Sequence, residues 1–292
     1  VEDCEIEAWG YWQKVYASAV SLRGVGQTLR RCRLRRGPHM AVEIRGNDHL
    51  VEGCEIAEVA RDFTDMGAIY LNLGFEPLRR GTVIRRNLLR AIGTARDDVH
   101  GVYADNASME LAIRDNVFMG FGSATNRNVA AIKSNGGSEL EVSGNLFVDC
   151  ACSFELNFFL EDWGRQYLDS YRDAWSRELA SPAWDRDRYF ARYPALRDFA
   201  RQDRIRPVSN RFACNIVWNP SIPRAHGGAF MTRFGPETLV AASDNRVVDA
   251  PCDTVCDLAS IDWSTLLRAL PGFVPPDPKA FGPRLPVGPR RV

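Results

Sequence analysis

The chain has 292 residues, 45% of them hydrophobic, enough to bury a sizeable interior. Lys and Arg total 37 and Asp and Glu total 37, a balance that argues against a generic nucleic-acid or anionic-membrane binder. No apolar run approaches the roughly 20 residues of a membrane-spanning helix.

The chain opens at Val1, already inside the first copy of a repeating unit. We read it as a fragment or mature form, so the absence of a signal segment carries no information. Eight small residues head the copies: Cys4, Cys32, Cys54, Asn87, Asn116, Asn145, Asn215 and Asn245. Three places before each stands Val1, Leu29, Val51, Ile84, Ile113, Val142, Phe212 or Ala242. Two places after stands Ile6, Leu34, Ile56, Leu89, Phe118, Phe147, Val217 or Val247. The spacings are 28, 22, 33, 29, 29, 70 and 30 residues, the mark of a repeat architecture. "LAIRDNVFMGF" and "LEVSGNLFVDC" alternate with period two, and "GAIYLN", "HGVYAD" and "AAIKSN" supply a further strand per copy. Several short strands per repeat predict an all-β solenoid, a right-handed parallel β-helix. At each tight corner an inward Asn can bond its counterparts above and below, and Cys is small enough for the same slot. The length alone suggests two domains, but a solenoid is one elongated body, here over residues 1–262.

Eight cysteines raise disulfide and zinc readings. Cys4, Cys32 and Cys54 fall on the ladder and are expected to pack in the core. Cys150 and Cys152 are expected on opposite faces of one strand, not both interior. Cys252 and Cys256 lack the two further partners of a zinc site. Disulfides stay open.

The gap of 70 between Asn145 and Asn215 holds one copy plus roughly 40 extra residues, on the usual repeat length. The strand "CSFELN" begins that copy, and an arm at about residues 158–207 follows. Trp163, Tyr167, Tyr171 and Trp175 recur every fourth residue, as on one helix face. One or two short helices follow, with a break at Pro194. The aromatics either dock the arm on the solenoid or place Trp163, Trp175 or Trp184 against a sugar ring. Residues 263–292 lose the ladder and read as a cap with a short helix near Ser264 to Leu270, then a proline-rich tail.

The run "DMGAIYLNLGFEPLRRGTVIRRNLL", then "HGVYADNASMELAIRDNVF", then "AAIKSNGGSELEVSGNLFVDC" resembles bacterial β-helix carbohydrate-active proteins. "RYPAL" and "LPGFVPPDP" are similar in order and position. The resemblance covers most of residues 40–285 and is closest to the group that includes glycoside hydrolase family 141. It implies a secreted or periplasmic enzyme acting on a poly- or oligosaccharide with two carboxylates. Carried over by motif, Asp65 and Asp105 lead, with Asp98, Glu76 and Glu155 as substitutes. Each leading carboxylate can equally serve an Asx-turn. Aligning Tyr70 on Tyr103 stacks Asp65 on Asp98 and puts Asp65 and Asp105 seven residues apart in the repeat frame. That is roughly 20 Å fully extended, against about 5–9.5 Å for either hydrolytic mechanism. His100 is a candidate to orient substrate or a carboxylate, and Tyr70 and Tyr103 to bond a sugar hydroxyl. Asn106 stands where the resembled pattern has a second Asp, and Lys133 where it has His.

Two rival readings remain. A polysaccharide lyase would use Lys133 as base, with Arg127 or Arg233 nearby, and only that reading invites calcium. Arg79, Arg80, Arg85 and Arg86 could then hold an acidic polymer, although a solvated charged loop explains them as well. A non-catalytic glycan-binding solenoid would need the aromatic arm but no paired acids. No Asp cluster suited to a metal is evident, so no metal or other cofactor is expected, and the oligomeric state is not legible.

Overall fold

The computed structural model describes residues 1–71, 79–93, 98–123, 126, 129–157, 161–182, 185–201, 207–219, 228–232, 240–248, 263–264 and 274–284. Short strands cycle among three all-parallel walls, the architecture of a parallel β-helix. Wall I runs in the order Val20–Val25, Val42–Asn47, Met66–Leu71, Val99–Ala104, Ile132–Asn135, Cys152–Asn157, Gly228–Thr232. Wall II begins at Thr28–Arg30 and ends at Val240–Ser243; wall III begins at Glu5–Glu7 and ends at Arg246–Val248.

The apolar positions of the repeat are in register. Leu29, Val51, Ile84, Ile113, Val142, Phe212 and Ala242 form one column of wall II. Ile6, Leu34, Ile56, Leu89, Phe118, Phe147, Val217 and Val247 form one column of wall III. Between these walls runs the ladder. The Oδ1 of Asn116 accepts the backbone N–H and the side-chain amide of Asn87, both at 3.0 Å. Asn145 does the same for Asn116, Asn215 for Asn145 and Asn245 for Asn215. Each amide also donates to a wall II carbonyl, as Asn116 does to Ile84 at 3.0 Å. The Cys rungs continue the stack: Cys54 N–H donates to Asn87 Oδ1 at 2.9 Å, and Cys32 N–H to Cys54 Sγ at 3.5 Å. The chain can turn there because the preceding residue is left-handed on every rung: Asp3, Arg31, Gly53, Arg86, Asp115, Gly144, Cys214 and Asp244.

Cys150 and Cys152 are both buried, which corrects the expectation that only one could be. Cys150 closes a wall III strand and Cys152 opens a wall I strand, with Ala151 as the corner. Alternation along a single strand therefore does not govern them. The expectation of a solvated arginine loop also fails at Arg80. Its guanidinium is buried between Glu110, at 2.6 Å, and Glu139 of the next rung. Arg85 and Arg86 both pair with Glu52.

The arm lies between the strands Cys152–Asn157 and Asn210–Ala213. It holds α1 (Glu161–Ala180), α2 (Arg186–Arg192) and a 3-10 turn, Pro194–Arg201. Asp185 caps α2, its carboxylate accepting from Arg188 N–H at 3.1 Å. The arm is held at the corner where wall I passes into wall II. Tyr193 Oη and Arg192 donate to Asp48, each at 2.7 Å, and Asn47 Nδ2 donates to Tyr189 Oη at 3.1 Å. The expected cap helix falls almost wholly outside the described residues.

Candidate functional site

The outer face of wall I carries polar side chains in columns because alternate residues of a strand point the same way. Val102, Ala104, Ile132, Phe154 and Leu156 enter the core, so Tyr103, Lys133 and Glu155 face outward. One outward column reads Ser21, Glu43, Tyr70, Tyr103, Lys133, Glu155. From Glu43 onward its members are buried although they lie outside the core. Gly67, in the D-x-G-A-I-Y run, makes the packing possible: a Cβ there would stand 2.8 Å from Tyr103 Cβ. The rings of Tyr70 and Tyr103 meet at 5.3 Å.

The acids flank this column. Asp65 and Asp98 occupy equivalent corners on successive rungs, both left-handed, where a short polar residue is tolerated. Met66 N–H donates to Asp98 O at 3.2 Å, which fixes the one-rung offset. Tyr103 Oη donates to Asp65 Oδ1 at 3.5 Å. Asp65 is exposed, yet its carboxyl is raised above the ordinary aspartate value, by partial desolvation first and then by the charges of Asp98 and Asp105. Asp98 goes the other way. Burial works against its charge, but bonds from His100 and Lys133 outweigh that and hold the carboxyl well below the ordinary value. Both bonds converge on Oδ1, so Oδ2 is outside them.

His100 is fully buried and is held at both ring nitrogens. Its Nδ1 lies 3.1 Å from Ala130 N and 3.3 Å from Ala130 O, and its Nε2 lies 2.8 Å from Asp98 Oδ1. Lys133 donates to the same oxygen and lies 5.0 Å over the Tyr103 ring, both of them ammonium contacts. Burial, followed by the nearby charges of Asp105, Asp65 and Asp98, keeps the Tyr103 hydroxyl protonated as a donor.

Asp105 is placed differently. Its Oδ1 accepts from Asn106 N–H at 2.8 Å and Asn135 Nδ2 at 3.1 Å, and its Oδ2 from Tyr70 Oη at 3.2 Å. It opens a backbone turn, Ser108 N–H donating to its carbonyl at 3.3 Å, at the opposite end of wall I from Asp65. Thus Asp65, Asp98, His100, Tyr103 and Lys133 converge, while Tyr70, Asp105 and Asn106 form a second group joined to the first by the tyrosine pair. Glu155 is next in the column after Lys133 and accepts from Asn157 Nδ2 at 2.8 Å. Sequence reasoning did not single out Asn135, Ser153 or Asn157. The signal was available, since "KSN" and "ELN" align with "YAD" in the repeat frame. Glu76, Arg127, Trp184 and Arg233 lie outside the described residues, as do the side chains of Trp163 and Trp175. No His/Cys/Asp/Glu cluster able to hold a metal occurs among the described residues.

A cavity of about 870 Å³ lies away from wall I, at the ladder corner under residues 274–284. Its Arg31 is already paired with Glu2 and Asp3. No family model, curated protein or solved structure matches this chain.

Proposed function

We propose that wall I cleaves glycosidic bonds of a poly- or oligosaccharide, with Asp65 as general acid and Asp98 as its ionised partner. The carrying observation is that neighbouring rungs push two carboxyls in opposite directions, Asp65 up and Asp98 down. Divergent carboxyls of this kind divide the work of glycoside hydrolysis into a proton donor and a nucleophile or base. The pairing differs from the sequence-based lead of Asp65 with Asp105, because Asp105 is held in a turn by three bonds. A one-rung offset of about 4.8 Å favours the shorter, retaining separation of about 5–5.5 Å. His100 and Lys133 orient Asp98 through Oδ1, leaving Oδ2 for the anomeric carbon. Tyr103 Oη steadies Asp65. The reading agrees with the resemblance to the group of glycoside hydrolase family 141.

The lyase reading has less support. A lyase base must accept a proton, whereas Lys133 is engaged by Asp98 and by the Tyr103 ring as an ammonium is. The test is incubation with neutral and uronate-containing glycans, recording reducing ends and the absorbance of unsaturated products. Reducing ends without that absorbance are expected. Unsaturated products lost in Lys133→Ala would establish the lyase instead, and binding without either product would leave a glycan-binding solenoid.

A further inference from the structure

The corner where wall III passes into wall I carries an aromatic surface that the cleavage chemistry does not use. Residues 8–19 span it on the first rung, twice the length of residues 36–41 on the second. Residues 58–65 span it on the third and end at Asp65. The long loop is held from beneath. Trp9 Nε1 donates to Ala17 O at 3.1 Å, closing the loop on itself. The Trp9 ring lies so close on Gly37 that a Cβ there would stand 2.0 Å from it. Lys14 reaches down to Asp62 of the third rung at 2.6 Å.

The rings that this loop presents are open to solvent: Trp12 is 94% exposed, Tyr11 80% and Tyr16 68%. Tyr11 and Trp12 meet edge to face at 5.0 Å. Tyr16 is left-handed, with φ 53°, a conformation that is uncommon for a bulky residue and recurs at ligand clamps. From Tyr16 a row of rings crosses the rungs, to His39 at 5.4 Å and from His39 to Phe63 at 5.2 Å. Phe63 is two residues from Asp65, itself exposed. The row thus joins the open aromatics to the proposed acid across two rungs, about 10 Å along the solenoid.

Clustered exposed apolar side chains mark binding surfaces, and Tyr and Trp suit a partner that stays wet on one side. A sugar ring is such a partner, with C–H groups on its face and hydroxyls at its rim. Single-stranded nucleic acid also stacks on rings but needs cations along its backbone. Here Lys14 is paired with Asp62, Arg35 with Glu5 and Glu7, and Arg36 with Glu7. Arg61, exposed on the third rung, adds one charge beside them.

We infer that Tyr11, Trp12 and Tyr16 form an outlying platform for the sugar chain cleaved at Asp65, the chain running along the solenoid from the first rung to the third. The inference deepens the proposed function and rests on Asp65 lying in a glycan site. Calorimetric titration and reducing-end assays test it together. The probes are the disaccharide and a long soluble oligomer of the cello-, xylo-, manno-, galacto- and galacturonate series, with oligothymidylate beside them. The proteins are the unaltered chain, Trp12→Ala, Tyr16→Ala, Trp12→Phe and, on wall II, Arg211→Ala, each checked by thermal melt. One long oligomer is expected to bind, with Kd raised about tenfold by Trp12→Ala, as for loss of one stacked ring. Tyr16→Ala should also weaken it, Trp12→Phe should keep most of the affinity, and Arg211→Ala should leave it unchanged. Turnover of the disaccharide, too short to span the platform and the acid pair, should not change.

The inference is overturned if no glycan binds, if Trp12→Ala and Tyr16→Ala leave the Kd of the long oligomer unchanged, or if oligothymidylate binds more tightly than any glycan. A dimer in sedimentation that Trp12→Ala dissociates would also overturn it, and would assign the platform to a second copy of the chain. Long-chain binding that weakens in the ring variants without any reducing ends would keep the platform and remove the hydrolase reading. Reducing ends from a long glycan with Kd indifferent to the rings would do the reverse.

Discussion

At the scale of residues, two side chains meet on one oxygen of a third. His100 and Lys133 both donate to Asp98 Oδ1, and their removal is felt through that carboxyl. Asp98 is depressed in the folded state, so the stability it contributes is full above its unfolded value and is lost as pH falls through the folded one. Asp65 is raised, so its contribution has the opposite sign and declines as pH rises from the unfolded toward the folded value. For hydrolysis the same shifts define a bell. The acid limb belongs to Asp98 and lies below the ordinary aspartate range; the alkaline limb belongs to Asp65 and lies above it. Lys133→Met should move the acid limb to higher pH and leave the alkaline limb in place, read from kcat/KM against pH. A variant with an unmoved acid limb would detach Lys133 from the site. Such detail was only partly legible in the sequence. Repeat alignment placed Asp65 over Asp98, but the preference for Asp98 over Asp105 comes from hydrogen bonds that cross rungs.

At the scale of elements, the arm is fastened by few contacts. Asp48 accepts from both Arg192 and Tyr193, and Asn47 meets Tyr189. Asp48→Ala should release α2, costing about 1–2 kcal/mol because the buried Tyr193 hydroxyl loses its acceptor. The readout is faster tryptic cleavage within residues 161–201; unchanged cleavage would mean that other contacts hold the arm. Helical periodicity and the break at Pro194 were evident in the sequence, and α1, α2 and the turn at Pro194 follow them. The anchor was not. Asp48 and Asn47 are separated from α2 by more than a hundred residues, and neither sits in a motif.

At the scale of the whole molecule, the ladder carries the fold. Asn145→Ala removes the acceptor of both the backbone N–H and the amide of Asn116, deep in the core. An unpaired buried backbone donor costs about 1–3 kcal/mol, so the loss should be near 3 kcal/mol. Asn145→Cys should cost less, since Cys54 Sγ already serves Cys32 N–H in this way. Chemical denaturation of the two variants checks the order. This stack was the most legible part of the chain, because its period repeats in residue type. The outer pairing was less so: Arg30 and Arg85 flank Glu52 only once the walls are in register. The charge balance of 37 against 37 is in part these columns.

The central claim is that Asp65 and Asp98 act together on a glycosidic bond. The direct measurement is reducing-end release by the unaltered chain, Asp65→Asn and Asp98→Asn on one oligosaccharide, with folding verified by melting. Each substitution is expected to lower kcat by at least about a hundredfold, the scale of a lost acid or base. Retention of activity in either variant, or its loss in Asp105→Asn alone, would contradict the pairing.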